Sequence, residues 1–502
     1  MSWQKYVETI SINTLISKVW QKFRKINGTN SCTPRHALLH NGIRIHDPKS
    51  ISNILGNSIA KFSSINNLDA HFRTIKTCEE AIPLNFESVD ELYYNRNFTI
   101  EEFNNALNNC SSTAPGQDCI NFEMISHLAP IAKAFLLQFY NTLWTKRLFP
   151  KIWKHAIIVP IAKRGKDPSN PVNYRPISLT SCLCKLLEKM VNYRLNWYLR
   201  KNKVLSPTQF GSQAEHSTLD SLSHLENYIR REFERKQITA AVFFDIEKAY
   251  DTTWRYSILR ALHQNGFRGH LPYFIQNFIE NRTFQTRVDN VYSDIFTLEC
   301  GVPQGSVLSG TLFALAINGI VSALPKGVQN NLYVDDFAIY YSSGSPRHLK
   351  RILNTAIRHI HIWCQSDGFT LSVGKTQAIM FYKDVRWKQN QDIYLTMGNT
   401  NIQFRNSVKF LGLMFDSHLN WKSHISYVKS KCNDALNLLK KLSHTTWGAK
   451  RKTMIMLYKA LVMSRLDYGS PIYGSASSAA LKPLDSVHTR GLRLCTGFSL
   501  IP

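Results

Sequence analysis

An α+β fold, with a sheet layered by helices on one face, is what this sequence predicts, and three observations carry the prediction. Between Thr239 and Phe381, apolar runs rich in β-branched and aromatic residues alternate with stripes of helical period, in the order β-α-β-α-β-β-α-β. From His424 onward the pattern is helical to the end. Apolar residues make up 44% of the 502 positions, whereas Gly (23) and Pro (18) are sparse. That composition fills large cores and excludes a disordered, collagen-like or low-complexity chain. At roughly 100–200 residues per domain, the length corresponds to about three folded units.

Taken in order, Met1 to roughly Pro83 is polar and rich in Asn and Ser, with short amphipathic pieces and a Pro/Gly-punctuated middle from Thr33 to Pro48. Thr99 is placed to cap a helix carrying Phe103 and Leu107, which Ala114-Pro115-Gly116 ends. A second helix is expected over Phe122 to Trp144, then a strand over His155 to Ile161 and a turn at Arg164-Gly165-Lys166-Asp167. Leu183, Leu186, Leu187, Met190, Val191 and Leu195 share one face of a helix reaching Arg200. Another helix runs from Leu219 to Arg235. Thr239 to Ile246 reads as a buried strand ending in an aspartate, and Asp251 as the N-cap of a helix reaching Gly266. Ile295 to Leu298 is a strand, Leu312 to Leu324 an apolar helix, and Leu332 to Tyr341 a hairpin. Leu349 to Ile360 carries a helical stripe, and strands resume near Phe369 to Phe381. No internal repeat is visible.

The formal net charge is +26, and it is unevenly spread. Lys146 to Leu205 hold 14 basic and 2 acidic residues, and Trp421 to Pro502 hold 13 and 3. The remaining residues are close to neutral. Two basic lobes around a neutral centre suggest a polyanion held between them. The ten cysteines show no zinc spacing and read as reduced thiols of a cytosolic or nuclear, non-secreted protein. No apolar run approaches the roughly 20 residues a membrane helix needs, and Lys5, Glu8 and Lys18 interrupt any signal-peptide core.

Three carboxylates stand in sequence that reads as sheet interior. Asp245 follows Ala240-Ala241-Val242-Phe243-Phe244, and Asp335-Asp336 sit between Leu332-Tyr333-Val334 and Phe337-Ala338-Ile339. Burying bare carboxylates costs several kcal/mol each, about the effective penalty per buried ion, so they must neutralise or find a cation. A shared divalent metal with hard oxygen preference resolves the conflict. An Asp-Asp pair by itself is equally a hairpin turn.

The surrounding words narrow the choice. Phe244-Asp245-Ile246-Glu247-Lys248-Ala249-Tyr250-Asp251, Gly301-Val302-Pro303-Gln304-Gly305-Ser306-Val307-Leu308-Ser309 and Tyr333-Val334-Asp335-Asp336 resemble three successive core motifs of reverse transcriptases, in order. Ala114-Pro115-Gly116-Gln117-Asp118, Asn173 to Leu179, Gln209-Phe210-Gly211 and Phe410-Leu411-Gly412 match as well. Together they resemble the polymerase of non-LTR retrotransposons, most closely jockey-type elements, over about Tyr93 to Trp421. The helical tail resembles the family's thumb more loosely. Lys18-Val19-Trp20 and Asp47-Pro48 are similar to the linker that precedes such polymerases.

The resemblance implies a right-hand polymerase with an RRM-like antiparallel palm sheet. It divides the chain into an N-terminal linker region (1–84), fingers (85–237), a palm with part of the fingers interleaved (238–420) and a helical thumb (421–502). It implies an RNA-directed DNA polymerase that extends a primer with dNTPs by two-metal phosphoryl transfer. Asp245, Asp335 and Asp336 would be catalytic and would hold two Mg2+ ions, with Mn2+ as the alternative. Tyr250 would bar a ribose 2′-hydroxyl; otherwise its ring packs on the sheet. Gln304, Lys163, Arg175 and Lys375 would join Tyr250 in binding the dNTP, with Lys166 a further candidate. Lys375 is equally a surface lysine. Gly305 would let template or primer backbone approach closely. Lys450-Arg451-Lys452 would touch the duplex; a nuclear signal or a solvated face are the other readings. Partners would be an RNA template, a DNA primer or target and dNTPs, with no membrane.

Two words depart from the family. Ser212-Gln213-Ala214-Glu215-His216 replaces a basic stretch, and Gly310 stands where proline is common. An inactive nucleic-acid-binding relic or truncated copy is therefore the alternative reading. No endonuclease acids and histidines precede Tyr93 and no ribonuclease H follows the tail, so the sequence reads as part of a larger element protein.

Overall fold

The computed structural model describes residues 37–88, 92–163, 165–383, 394–443 and 449–497. Its N-terminal stretch forms a hairpin, β1 (Leu38–His40) with β2 (Ile43–Ile45), and two helices, Pro48–Phe62 and Ala70–Glu80. Asp47 and Asp69 accept hydrogen bonds from Ser50 N–H and His71 N–H, so an aspartate caps each helix. Both helices pack inward. Gly56 lies against the Phe296 ring, and Phe72 meets Trp254 edge-on at 5.3 Å.

The strands that follow form two sheets. β3 (His155–Ala162) and β4 (Tyr174–Leu179) pair antiparallel, and β5 (Ile238–Asp245) founds the central sheet. β6 (Arg282–Val288) returns to the first sheet parallel to β3, with β7 (Val291–Tyr292) and β8 (Phe296–Leu298) beside it. β9 (Gln329–Tyr333), β10 (Asp336–Ser343), β11 (Gln377–Phe381), β12 (Tyr394–Met397) and β13 (Thr400–Arg405) complete the central sheet in the order β12-β13-β11-β5-β10-β9. It is antiparallel except where β11 meets β13.

The continuous apolar run of β5 has a physical reason, because both faces of the central sheet are covered. Ala240, Val242 and Phe244 pack with the Cys182–Lys201, Leu308–Ile317 and Pro346–Asp367 helices. Ala241 and Phe243 face a second core. That core holds the Thr218–Glu234 helix, the hairpin of β14 (Ser407–Phe410) and β15 (Leu413–Asp416), and the helices Lys422–Leu442, Arg451–Tyr458 and Ser478–Thr496. The expectation of helices on one face is thereby corrected.

Two helix boundaries also differ from expectation. The Phe122-to-Trp144 stretch divides into Phe122–Ser126 and Pro130–Thr145, since Pro130 is tolerated only at the start of a helix. Asp251 is not an N-cap. It lies inside a single turn, Ala249–Thr252, entered through Lys248 in the left-handed region at φ +48°, and the chain restarts as Arg255–Gln264. The break turns Trp254 inward, where its Nε1–H donates to Glu80 at 2.7 Å.

Candidate active site

Strand pairing assembles the three acids. Asp245, the last residue of β5, stands directly opposite Asp336, the first of β10. Asp336 in turn pairs with Tyr333 of β9, so Val334 and Asp335 form a two-residue turn. Directly opposed side chains lie on one face with Cβ atoms roughly 4.5–5.5 Å apart. Val334 adopts φ +59°, an uncommon conformation for a β-branched residue.

The Gln209-Phe210-Gly211 word braces this turn. Phe210 N–H donates to Leu332 O at 2.8 Å, and Leu332 N–H to Thr208 O at 2.9 Å. A Cβ on Gly211 would stand 2.4 Å from Val334 N and 2.8 Å from Val334 Cγ2, so only glycine fits.

The acids are not buried, contrary to the expectation from their flanks. Asp335 and Asp336 are exposed and Asp245 is half-buried, because they sit where the strands end rather than along them. Surrounding protein still desolvates the first two. Asp336 is pushed up to about 6 by desolvation and then by the charges of Asp335 and Asp245. Asp335 is raised by desolvation and Asp245, with Arg175 opposing. Lys375 Nζ lies 2.8 Å from Asp245 Oδ2.

Among the described residues, no three His, Cys, Asp or Glu side chains stand close enough to chelate one ion as they are. The acids converge, but Lys375 engages one of them. The donor set still fits a divalent cation. It consists of carboxylate oxygens, and such a cation would offset both the desolvation and the neighbouring carboxylate charges that raise Asp335 and Asp336.

The Gly301-to-Ser306 loop is pinned beside them. Gly301 N–H donates to Thr253 O and Val302 N–H to Tyr250 O, both at 2.8 Å. Gln304 is engaged by protein, since its Nε2–H donates to Asp251 Oδ1 at 2.9 Å. Gly305 makes its close approach to β4: a Cβ there would meet Ser178 O at 2.8 Å. Tyr250 stacks on Phe313 with centroids 4.9 Å apart, and desolvation followed by the Asp335 charge pushes its phenol up to about 12. The ring is thus packed and also within electrostatic reach of the acids.

Three of the expected cations gather here. Lys163, following β3, is lowered by desolvation and then by the charges of Lys375 and Arg175, while Asp251 opposes. Lys166 acts on it more weakly. Lys450, Arg451 and Lys452 are exposed at the start of the Arg451–Tyr458 helix, outside the strands that carry the acids.

Two residues, Lys248 and Glu188, escaped the sequence analysis, and a third, Asp251, was read only as a helix cap. Asp251 is pushed up to about 6 by desolvation, against the opposing pull of Gln304, Lys248 and Lys163. Lys248 places its ammonium 3.0 Å from the centroid of the Phe62 ring. Both lie in the Phe244-to-Asp251 word, which was the available signal. Glu188 is buried, accepts from Val307 N–H at 2.8 Å and from the Ser306 hydroxyl, and so ties the loop to the Cys182–Lys201 helix. Its signal was a charge inside an apolar stripe.

Comparison with known proteins agrees with this geometry. Residues 161–415 match the family described as reverse transcriptase (RNA-dependent DNA polymerase). The chain is 28% identical over 395 residues to a probable RNA-directed DNA polymerase from transposon BS of Drosophila melanogaster, covering 76% of this chain and 43% of that one. It is 26% identical over 450 residues to the RNA-directed DNA polymerase from mobile element jockey of Drosophila melanogaster, covering 86% and 48%. It is 24% identical over 399 residues to the probable polymerase of the X-element transposon of Drosophila melanogaster, covering 77% and 42%. The chain therefore spans under half the length of these relatives. The α+β architecture, the three motif acids at one strand end and the extent of the match agree: the chain belongs to the reverse transcriptase (RNA-dependent DNA polymerase) family.

Proposed function

We propose that this chain is the RNA-directed DNA polymerase of a jockey-type non-LTR retrotransposon, extending a primer 3′ end with dNTPs on an RNA template. The observation that carries the reading is the convergence of Asp245, Asp335 and Asp336 beside Lys163, Arg175 and Lys375. Acids and cations at one strand end suit a reaction in which a triphosphate is neutralised and a hydroxyl attacks it.

Reverse transcriptases generally use divalent metal ions. Here Asp245, Asp335 and Asp336 would hold two, Mg2+ or Mn2+, whose positive charge supports the attacking and leaving oxygens. Lys163 and Arg175 bind the triphosphate. Tyr250, held by Phe313, narrows the space for a 2′-hydroxyl. Gln304, fixed by Asp251, orients the incoming nucleotide. Lys375 leaves Asp245 to hold a proton near the departing pyrophosphate. The hand divides as the sequence suggests, with fingers over 85–237, palm over 238–420 and thumb over 421–502. Template RNA, primer or target DNA and dNTPs are the partners, and Lys450-Arg451-Lys452 offers the duplex a cationic face. No helix among the described residues is long and apolar enough to cross a membrane, and nuclear or cytoplasmic residence fits the substrates.

Primer extension on an RNA template with Mg2+ or Mn2+ tests the reading. Synthesis that Asp335→Ala abolishes while sparing RNA binding supports it. Failure of the folded protein under every metal and primer condition would overturn it in favour of an inactive, nucleic-acid-binding relic.

A further inference from the structure

Away from the acids, the β14–β15 hairpin, the start of the Lys422–Leu442 helix and the segment around Arg465 enclose a cleft of about 620 Å3. Its lining includes Lys409, His424, Tyr427, Lys431, Asp434 and Arg465, and none of the residues assigned above to catalysis. His424, Tyr427 and Lys431 are spaced i, i+3, i+7 and so share one helical face. Lys409 is brought to them by the hairpin, and its Nζ donates to Tyr427 Oη at 3.0 Å. That hydrogen bond and the charges of Lys409, Lys431 and Arg465 hold the Tyr427 phenol below its ordinary value, so all three cations act on one hydroxyl.

His424 supplies the second observation. It is only 2% exposed. Its Nδ1 accepts from Met414 N–H at 3.3 Å, which leaves the hydrogen on Nε2, and Nε2 has no partner. Desolvation, with Lys409 adding to it, pushes this ring down to about 4, so it stays a neutral donor. A buried donor without an acceptor is costly unless something supplies one.

The cleft is therefore rich in donors: three cations and a phenol share its lining with a single carboxylate, and the unpartnered imidazole N–H lies buried behind them. Its excess is two positive charges. A phosphate monoester carries about −1.5 to −2 at neutral pH and presents three strong acceptor oxygens. A backbone diester carries one charge on two free oxygens and would leave donors unmatched. We propose that this cleft binds a phosphate monoester, either the 5′-terminal phosphate of a nucleic-acid strand or the phosphate of a free nucleotide, through Lys409, Lys431 and Arg465 with Tyr427 as a neutral donor. The proposal goes beyond polymerase activity and does not depend on it.

The test is binding by the full chain, read by fluorescence anisotropy without catalysis. The probes are a labelled 12-nucleotide DNA with a 5′-phosphate, the same strand with a 5′-hydroxyl, and AMP, adenosine and inorganic phosphate as competitors. The variants are Lys409→Ala/Lys431→Ala and the nearly isosteric Tyr427→Phe. A strand-end site predicts roughly tenfold tighter binding of the 5′-phosphate strand, erased in the double variant and reduced about threefold in Tyr427→Phe. A free-nucleotide site predicts that AMP but not adenosine binds, with the same sensitivity to the variants and no preference between strand ends. Either result supports the monoester site. Equal binding of both strands, with AMP and inorganic phosphate ineffective, would mean a nonspecific basic surface and would overturn it. If melting shows that the double variant is unfolded, Tyr427→Phe decides: an unchanged monoester preference would sink the proposal.

Discussion

Gly211→Ala is the sharpest test of how this site is held. The added Cβ would stand 2.4 Å from Val334 N, 2.8 Å from Val334 Cγ2 and 3.0 Å from Tyr333 C. The Val334 side chain can rotate away, but its backbone nitrogen cannot. Restoring an ordinary contact needs a shift of about 1 Å in the turn that carries Asp335, and a misplacement of that size costs on the order of 100-fold in rate. Overpacking adds about 1–3 kcal/mol of destabilisation. Single-turnover incorporation of one dNTP, beside thermal melting, separates the two effects. The expected result is a rate down about 100-fold in protein that still melts cooperatively, a few degrees lower. Val334→Gly removes only the Cγ2 contact, so Gly211→Ala/Val334→Gly stays slow. A Gly211→Ala rate within twofold of the parent would refute the bracing argument, and full rescue by Val334→Gly would show that the obstacle was the side chain.

Three further outcomes follow from the same geometry. Asp336 titrates near 6 in the folded chain against 3.8 for the ordinary group, so the fold holds a proton that the unfolded chain releases. In chelator, this group's contribution to stability is greatest below about pH 4 and falls as pH rises through 6; Asp336→Asn should raise the melting temperature at pH 7 and leave it unchanged at pH 4. Lys375 and Asp245 form a pair 2.8 Å apart with side chains 67% and 41% exposed. Such a pair is worth about 0.2–1 kcal/mol, so Lys375→Met should lower the half-saturating Mg2+ concentration for synthesis by up to about fivefold, and an unchanged midpoint would count against the pairing. Glu188→Ala strands the Val307 N–H and the Ser306 hydroxyl at a cost of about 1–3 kcal/mol. The loosened loop should raise KM for dNTP more than it lowers binding of the primer–template.

Much of this was legible because local pattern and tertiary demand coincide. β5 reads as an unbroken apolar run, the Thr99 cap with Glu102 is a complete capping box, and a hairpin turns at the Asp pair as expected, though its strands extend further, to Gln329 and Ser343. What was missed depends on contacts between distant parts of the chain. Nothing near Gly211 announces that Val334 will press on it. Asp251 has the spacing of a cap, but the inward turn of Trp254 and the Gln304 hydrogen bond give it another neighbourhood. The flanks of Asp335 and Asp336 are buried while the acids are not, because a strand's apolar alternation does not reveal where the strand stops. The second core beneath Ala241 and Phe243 draws on the Thr218–Glu234 helix and on residues from Val408 to Cys495, most of which no local window over β5 contains.

The contact of Lys248 with the Phe62 ring has a thermodynamic consequence. Phe62 closes the first N-terminal helix, while Lys248 feels the charges of Asp251, Lys163 and Lys375. An anion that draws Lys248 off that ring would remove the contact, so occupancy of the proposed nucleotide site and docking of the Pro48–Phe62 helix would share one coupling free energy. dNTP that recruits Lys248 should then speed proteolysis of this helix by the same factor by which docking the helix weakens dNTP binding. A polar N-terminal segment would thereby report on what the proposed triphosphate site contains.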